Sequence, residues 1–327
     1  MKRIDLSNYA EALVHSRQPY QANYFAMYSS LLDGLLTDPV LMQLPVDDHL
    51  VHRGDGVFET CKCVAGAIYQ LPAHLDRLER SAAAIGIRWP AGMAAVRDLI
   101  LETARAAGRG ACSIRVILAR GPGSFGVSPY ESPAPALYIV VYGLGRVFMD
   151  VHPGGATVRR SRIPAKPAEM AEIKNCNYLP NVLMKREAVD WGVDFVVGYD
   201  ARGFLTEGPT ENAGLVTRGR ELVFPRLENI LAGTTMLRLA ELARVLLDAG
   251  ELRAIEFRDI AEDEVRAAAE VLVVGTTINV VAVRAYEGQP VGEGLPGSVW
   301  RRLQTLLEAD VLKNPAMRTP VVPAANE

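Results

Sequence analysis

The sequence predicts an α/β (α+β) protein in two domains, a small N-terminal α/β domain over residues 1–142 and a larger domain over residues 143–327. Three observations predict it. A chain of 327 residues is longer than one hydrophobic core usually serves. Short alternating runs rich in β-branched residues are interleaved with stretches of helical period. Between the halves stands the glycine-interrupted step Tyr142-Gly143-Leu144-Gly145-Arg146, which has the composition of a linker.

In order, Tyr24 to Leu36 reads as a short strand with a turn at Asp33-Gly34, and Thr37-Asp38-Pro39 opens a helix or a turn. Gly54-Asp55-Gly56 is a turn signal from which Val57 to Val64 leaves as a strand. Alternation puts Phe58, Thr60 and Lys62 on one face and Val57, Glu59, Cys61 and Cys63 on the other. Gly66 turns the chain back into Ala67 to Leu71. Leu75, Leu78, Ala82 and Ile85 give the apolar stripe of a helix, with Arg77 and Arg80 on its other faces. A second helix, Ala94 to Ala107, ends with Arg105 in its last turn and Gly108 just past it. Cys112 to Arg120 and Ala136 to Tyr142 are β-branched strands. In the second half, strands are expected near 156–160, 195–199, 214–217, 221–224 and 271–275. Helices are expected near 180–191, 234–249, 261–269 and 297–310. The polar, proline-containing tail from Lys313 reads as loose.

Composition excludes several classes of function. Hydrophobic residues are 49% and charged residues 22%, ordinary for a soluble globular protein. A net charge of -3 offers no field for nucleic acid or an anionic membrane. No apolar run approaches the roughly 20 residues that span a bilayer. Met1-Lys2-Arg3-Ile4-Asp5 lacks the apolar segment of a secretory signal. Four cysteines (Cys61, Cys63, Cys112, Cys176) are too few for a disulfide framework, and neither they nor the five histidines have metal-ligand spacing. Reduced thiols, no metal and a cytoplasmic location are therefore expected.

Four stretches bear on chemistry. Lys174 stands between apolar and amide residues in Ile173-Lys174-Asn175-Cys176-Asn177-Tyr178, flanked by few charges of its own sign. A partly desolvated lysine is an amine nucleophile for Schiff-base formation. The plain alternative is a solvated surface charge. Gly121-Pro122-Gly123-Ser124-Phe125-Gly126 spells the dinucleotide-binding pattern, but Pro129 and Pro133 forbid the helix that pattern must open, so it is a loop. Glu207 ends a strand at the Gly208-Pro209 turn, with Asn212 before the next strand. Such a carboxylate either partners a buried cation or is solvated at a surface turn. The turns Gly233-Thr234-Thr235 and Gly275-Thr276-Thr277 offer backbone N–H groups and hydroxyls to an anion, or simply cap helices. With an arginine such as Arg77 they could cradle one phosphate.

Six stretches, taken in order, together carry a resemblance. They are Arg53-Gly54-Asp55-Gly56-Val57-Phe58-Glu59, His74-Leu75-Asp76-Arg77-Leu78, Ile173-Lys174 with Asn177, Thr206-Glu207-Gly208 with Asn212, Ile230-Leu231-Ala232-Gly233-Thr234-Thr235, and Gly275-Thr276-Thr277. The chain resembles the class IV (fold type IV) pyridoxal-phosphate enzymes. These include branched-chain aminotransferases, D-amino-acid aminotransferases and aminodeoxychorismate lyases.

The resemblance implies a small N-terminal α/β domain, a larger C-terminal β-barrel-like domain with helices, pyridoxal 5′-phosphate as cofactor, and a homodimer. It implies that Lys174 carries the cofactor as a Schiff base and moves the proton at the substrate Cα. Glu207 pairs with the ring nitrogen, and Tyr178 lies beside the ring. Arg77 binds the phosphate with the turns of Thr234, Thr235, Gly275 and Thr276. Since one strand face carries all three, Phe58, Thr60 and Lys62 are expected to line the substrate side, with Arg115 or the Gly275–Thr277 amides taking the substrate carboxylate.

The Lys-x-x-Asn spacing is similar to D-amino-acid aminotransferases and lyases, but Phe125 and Val127 stand where the D-specific enzymes carry Arg-x-His. Ser113-Ile114-Arg115 and Gly126-Val127-Ser128-Pro129 are similar to branched-chain enzymes, and Arg120-Gly121 to the lyases. Met236 replaces an arginine common after the turn at Gly233. The expected reaction is transfer of an amino group from a small aliphatic, branched-chain-like amino acid to a 2-oxo acid. The alternatives are a D-amino acid donor, β-elimination of pyruvate by a lyase, or a cofactor-binding scaffold without activity.

Overall fold

The computed structural model describes residues 1–90 and 92–321. Two compact units divide the chain. Of the described residues, the first comprises those within 1–144, 175–177 and 316–321, and the second 145–174 and 178–315.

The first unit opens with α1 (Tyr9–His15), β1 (Tyr24–Ser29), β2 (Gly34–Leu36), α2 (His49–Arg53), β3 (Gly56–Val64) and β4 (Ala67–Tyr69). It continues with α3 (Leu71–Ala84), α4 (Met93–Ala107), β5 (Cys112–Ala119) and β6 (Ala136–Tyr142). One sheet face packs helices: α3 lies on β3, and α4 on β1, β5 and β6. Val57, Cys61, Ile114, Val116 and Ile139 are fully buried on these central strands. α3 is started by Pro72 in its first turn, and its stripe buries Leu71, Leu75, Leu78 and Ala82. Arg77 departs from expectation here. It is buried rather than turned away, because Glu59 on β3 offers it a partner.

The second unit runs α5 (Phe148–Val151), β7 (Ala156–Arg160), α6 (Ala168–Ala171), α7 (Leu179–Asp190), β8 (Phe195–Val197), β9 (Asn212–Val216) and β10 (Glu221–Phe224). It then runs α8 (Thr234–Leu242), α9 (Arg244–Asp248), β11 (Ala254–Phe257), α10 (Glu262–Ala267), β12 (Glu270–Gly275), β13 (Asn279–Tyr286), β14 (Gln289–Pro290) and α11 (Ser298–Lys313). Its sheet has the order β11-β10-β9-β12-β13-β7-β8, with β14 added on β13. The pairs β10–β11, β13–β7 and β7–β8 are parallel and the others antiparallel.

Three expectations are corrected. β11 and β13 were not anticipated, although Val280-Val281-Ala282-Val283 is a buried apolar run of the kind a central strand carries. The single helix expected over 234–249 is two, divided at Ala243. The tail is not loose over its described part. α11 extends through Lys313, and β15 (Arg318–Pro320) pairs antiparallel with β4. The Arg318 guanidinium donates to the carbonyls of Val64 and Ala65 at 3.3 and 3.1 Å. The first unit's sheet is thereby completed in the order β15-β4-β3-β5-β6-β1-β2, antiparallel throughout.

Candidate active site

Lys174 lies in the loop between α6 and α7, and Tyr178 is the residue that opens α7, with Pro180 in its first turn. Between them, residues 175–177 belong to the first unit. There Asn175 bridges Val57, and the Cys176 N–H donates to the Gly56 carbonyl at 2.8 Å. Gly54 makes this approach possible. Its φ of 67° is left-handed, and a Cβ there would stand 3.2 Å from the Asn177 Cα.

Within the second unit one pocket is lined by Lys166, Ile173, Lys174, Tyr178, Asn181, Glu207 and the turn from Gly208 to Asn212. The Lys174 ammonium donates to the Tyr178 hydroxyl at 3.4 Å and lies 6.0 Å from its ring centre. Glu207 is held by a backbone ladder on both sides. Its residue bridges Asn212, and the Gly208 N–H donates to the Glu211 carbonyl at 2.7 Å. Its Oε2 accepts the Leu231 N–H at 3.0 Å. Asn212 completes the link by donating its side-chain amide to the Leu231 carbonyl at 2.9 Å. The carboxylate and the turn that leads into α8 are therefore one hydrogen-bonded assembly.

That turn has an anion-binding character. Gly233 caps α8 without a side chain, and a Cβ on it would collide with the Asn212 carboxamide. Thr234 and Thr235 are the first helical residues. The Thr235 hydroxyl is buried with no hydrogen-bond partner among the described residues. An orphaned buried hydroxyl in the first turn of a helix fits a phosphate oxygen. The second turn differs from expectation. Gly275, Thr276 and Thr277 connect β12 to β13, so this is a hairpin with no helix to cap. A Cβ at Gly275 would lie 3.8 Å from the Glu211 Cγ, which places this turn beside the Glu207–Asn212 segment.

The remaining predicted residues lie in the first unit. Arg77 makes a two-point pair with Glu59, Nε to Oε1 at 2.6 Å and Nη2 to Oε2 at 2.9 Å, and His74 Nδ1 stands 2.7 Å from Oε2. Burial pushes the Glu59 carboxyl up, but Arg77 and His74 outweigh it and hold the group well below the usual carboxylate range. Phe58, Thr60 and Lys62 share a face of β3, and Arg115 on β5 stands directly across from Thr60. Its guanidinium sits 5.0 Å from the Phe58 ring centre. Lys62 is 3% exposed, and burial lowers its ammonium to about 8.

Two pocket residues were not singled out from the sequence. Lys166 comes 3.9 Å from Glu207 Oε1 and 5.0 Å from the Tyr178 ring centre, so Lys174 does have a like charge in its pocket. The available signal was a lysine fixed between Pro164 and Pro167. Asn181 is 5% exposed and donates to the Pro209 carbonyl at 2.5 Å, bracing the turn behind Glu207. No group of three or more His, Cys, Asp or Glu able to hold a metal occurs among the described residues. Among the described residues no helix is long and apolar enough to cross a membrane.

The family model of amino-transferase class IV matches residues 56–286, well over half of the chain. The chain belongs to this family. The class IV aminotransferases depend on pyridoxal 5′-phosphate, and the residues around Lys174, Glu207 and Thr235 fit that group. Among curated relatives, the D-amino-acid transaminase, chloroplastic, of Arabidopsis thaliana is 37% identical over 301 residues, covering 92% of this chain and 80% of that protein. The branched-chain aminotransferase of Thermoproteus uzoniensis, solved with norvaline, shares the fold at TM-score 0.82 and 22% identity, covering 91% of this chain and 100% of that one. The 4-amino-4-deoxychorismate lyase of Pseudomonas aeruginosa superposes at TM-score 0.72 and 27% identity, over 87% and 98% of the two chains.

Proposed function

We propose that this class IV aminotransferase moves the amino group of a small aliphatic amino acid to a 2-oxo acid, with Lys174 as the catalytic amine. The observation that carries this is the shared pocket of Lys174, Tyr178 and Glu207, which puts an amine, a phenol and a carboxylate around one cavity. When bound, pyridoxal phosphate supplies an electron-accepting ring for the pair left at the substrate Cα. Lys174 attaches the cofactor and then carries the proton at that carbon. The Tyr178 hydroxyl, 3.4 Å away, receives its N–H and aims the amine while it waits. Glu207, fixed through Oε2 by the Leu231 N–H, presents a carboxylate to the ring nitrogen. Thr234 and Thr235 with the N–H groups opening α8, the Gly275–Thr276 turn, and Arg77 receive the phosphate. Phe58, Thr60 and Lys62 form the substrate face. Arg115 or the Gly275–Thr277 amides take the substrate carboxylate.

A D-configured donor is the second reading, favoured by the 37% identity to the Arabidopsis transaminase. The lyase is the third, favoured by its superposition at TM-score 0.72. One experiment separates them. The purified holoenzyme is given L- and D-enantiomers of alanine, valine and leucine with 2-oxoglutarate or pyruvate, and separately aminodeoxychorismate with no acceptor. New amino acid from either enantiomer supports transamination and fixes the stereochemistry. Pyruvate released without an acceptor, and no transfer from any donor, rejects it in favour of the lyase. We propose further that the protein acts as a homodimer in the cytoplasm.

A further inference from the structure

Lys166 is a second lysine in the Lys174 pocket, and its position is unlike that of a solvated surface charge. It projects from the loop between β7 and α6, where Pro164 and Pro167 limit the backbone on both sides. Its side chain is 15% exposed and that of Glu207 18%, and the two meet at 3.9 Å. One Glu207 oxygen faces this ammonium while the other is taken by the Leu231 N–H. We propose that Lys166 is a positioning residue that keeps Glu207 an ionised carboxylate and aims it across the pocket, so that a proton shared with the cofactor's ring nitrogen resides on the ring. This rests on the reading of Glu207 as the ring-nitrogen partner.

Lys166 stands among other charges, and it is the cation that pairs with the Glu207 carboxylate at 3.9 Å. On the pocket side the other ionisable groups are Lys174, Tyr178 and Glu211. Lys174 is directed to the Tyr178 hydroxyl, and the Glu211 carboxylate receives the Thr210 N–H. On the outer side a groove that also touches Lys166 holds Asp200, Arg202, Arg226, Glu228 and Asp259. Its two arginines are engaged. Arg202 pairs with Asp200 at 2.9 Å and Asp259 at 3.3 Å, and Arg226 with Asp259 at 3.1 Å. Their side chains are more than half exposed, so water screens them, whereas the Lys166–Glu207 pair is largely desolvated.

A nearby cation favours an ionised carboxylate by about 1–3 pK units, and its loss makes the carboxylate a stronger competitor for the ring proton. The test is the pH titration of the visible absorption of bound pyridoxal phosphate in the holoenzyme, with Lys166→Met, Lys166→Arg, Glu207→Gln and the Lys166→Met/Glu207→Gln double variant. Lys166→Met should raise the midpoint by about one pH unit. Lys166→Arg should return it to the wild-type value, and Lys166→Met should add nothing once Glu207 is Gln. An unmoved midpoint in Lys166→Met, with Glu207→Gln shifted, overturns the proposal and leaves the role of Glu207 standing. An equal shift in both backgrounds overturns it too, since the lysine then acts on the cofactor directly. Failure of both Lys166 variants to retain cofactor also overturns it. A Glu207→Gln midpoint equal to wild type removes the reading of Glu207 itself.

Discussion

Each unit contains a carboxylate flanked by two cationic side chains, and the two are built differently. In the first unit, Glu59 is 1% exposed and meets Arg77 and His74 at 2.6 to 2.9 Å. Both its oxygens are engaged by side chains on the neighbouring helix. In the second unit, Glu207 meets Lys166 only at 3.9 Å, and Lys174 turns to a phenol at 3.4 Å. The first arrangement repays burial with short, directional bonds, as a structural ion cluster must. The second leaves amine and carboxylate spaced around a cavity, so a third group can enter among them. Glu59 and Arg77 hold each other fixed, whereas Glu207 keeps space beside it.

The contrast can be broken most sharply at Lys174. Lys174→Ala should lower turnover by roughly a thousand-fold or more, with little change in the urea midpoint. Activity that persists without added amine would remove its catalytic role. Glu59→Gln should show first in stability. It removes the carboxylate charge that Arg77 and His74 pair with, and should cost about 3–5 kcal/mol in the unfolding free energy. Because the Glu59 pKa is depressed on folding, its stabilisation is present above the ordinary carboxylate range and is lost as pH falls below it. Acid titration of the wild type against Glu59→Gln measures that loss, and parallel curves would refute it.

Lys62 sharpens the comparison from the other side, being a buried cation that burial opposes. Its ammonium falls from 10.5 to about 8 in the fold, so the unfolded chain binds the proton more tightly. Stability then rises with pH between these values. Lys62→Met should stabilise the protein by about 3 kcal/mol at pH 7, a gain that shrinks above pH 8. A loss of stability at pH 7 would show that its contacts, the Tyr69 ring 5.4 Å away among them, outweigh its burial. The smallest effect is expected at Thr235. Thr235→Val should leave the cofactor-free protein as stable or slightly more so, while weakening pyridoxal phosphate binding roughly tenfold, the worth of one hydrogen bond to a charged group. An unchanged affinity by fluorescence titration would exclude its hydroxyl from the phosphate site.

Much of this was readable from local pattern. The faces of β3, the stripe of α3, the glycine after α4 and the loop at Gly121–Gly126 all follow from periods and turn chemistry that a short window contains. Lys174 and Glu207 were reachable because motifs in order carry them. What local pattern could not supply was partnership across distance. Arg77 looks like a surface residue until Glu59, 18 positions earlier, lies beside it. Lys166 belongs to the Glu207 pocket only after the chain folds back over 41 positions, and no nearby residue announces that return. β15 was hidden likewise, since an edge strand is defined by its neighbour rather than by its own polar sequence.

That last strand sets an order of events during protein synthesis. β4 pairs with β3 on one side and with Arg318–Pro320 on the other, about 250 positions away. While the ribosome is still producing the second unit, the β4 edge has no partner from its own chain. It then exposes unsatisfied N–H and C=O groups to any strand that passes. The early strands of the first unit can pair as they appear, but its sheet closes only after Arg318–Pro320 have emerged. A message truncated before Arg318 would therefore leave an adhesive edge on an otherwise assembled unit, and quality control would meet that edge first.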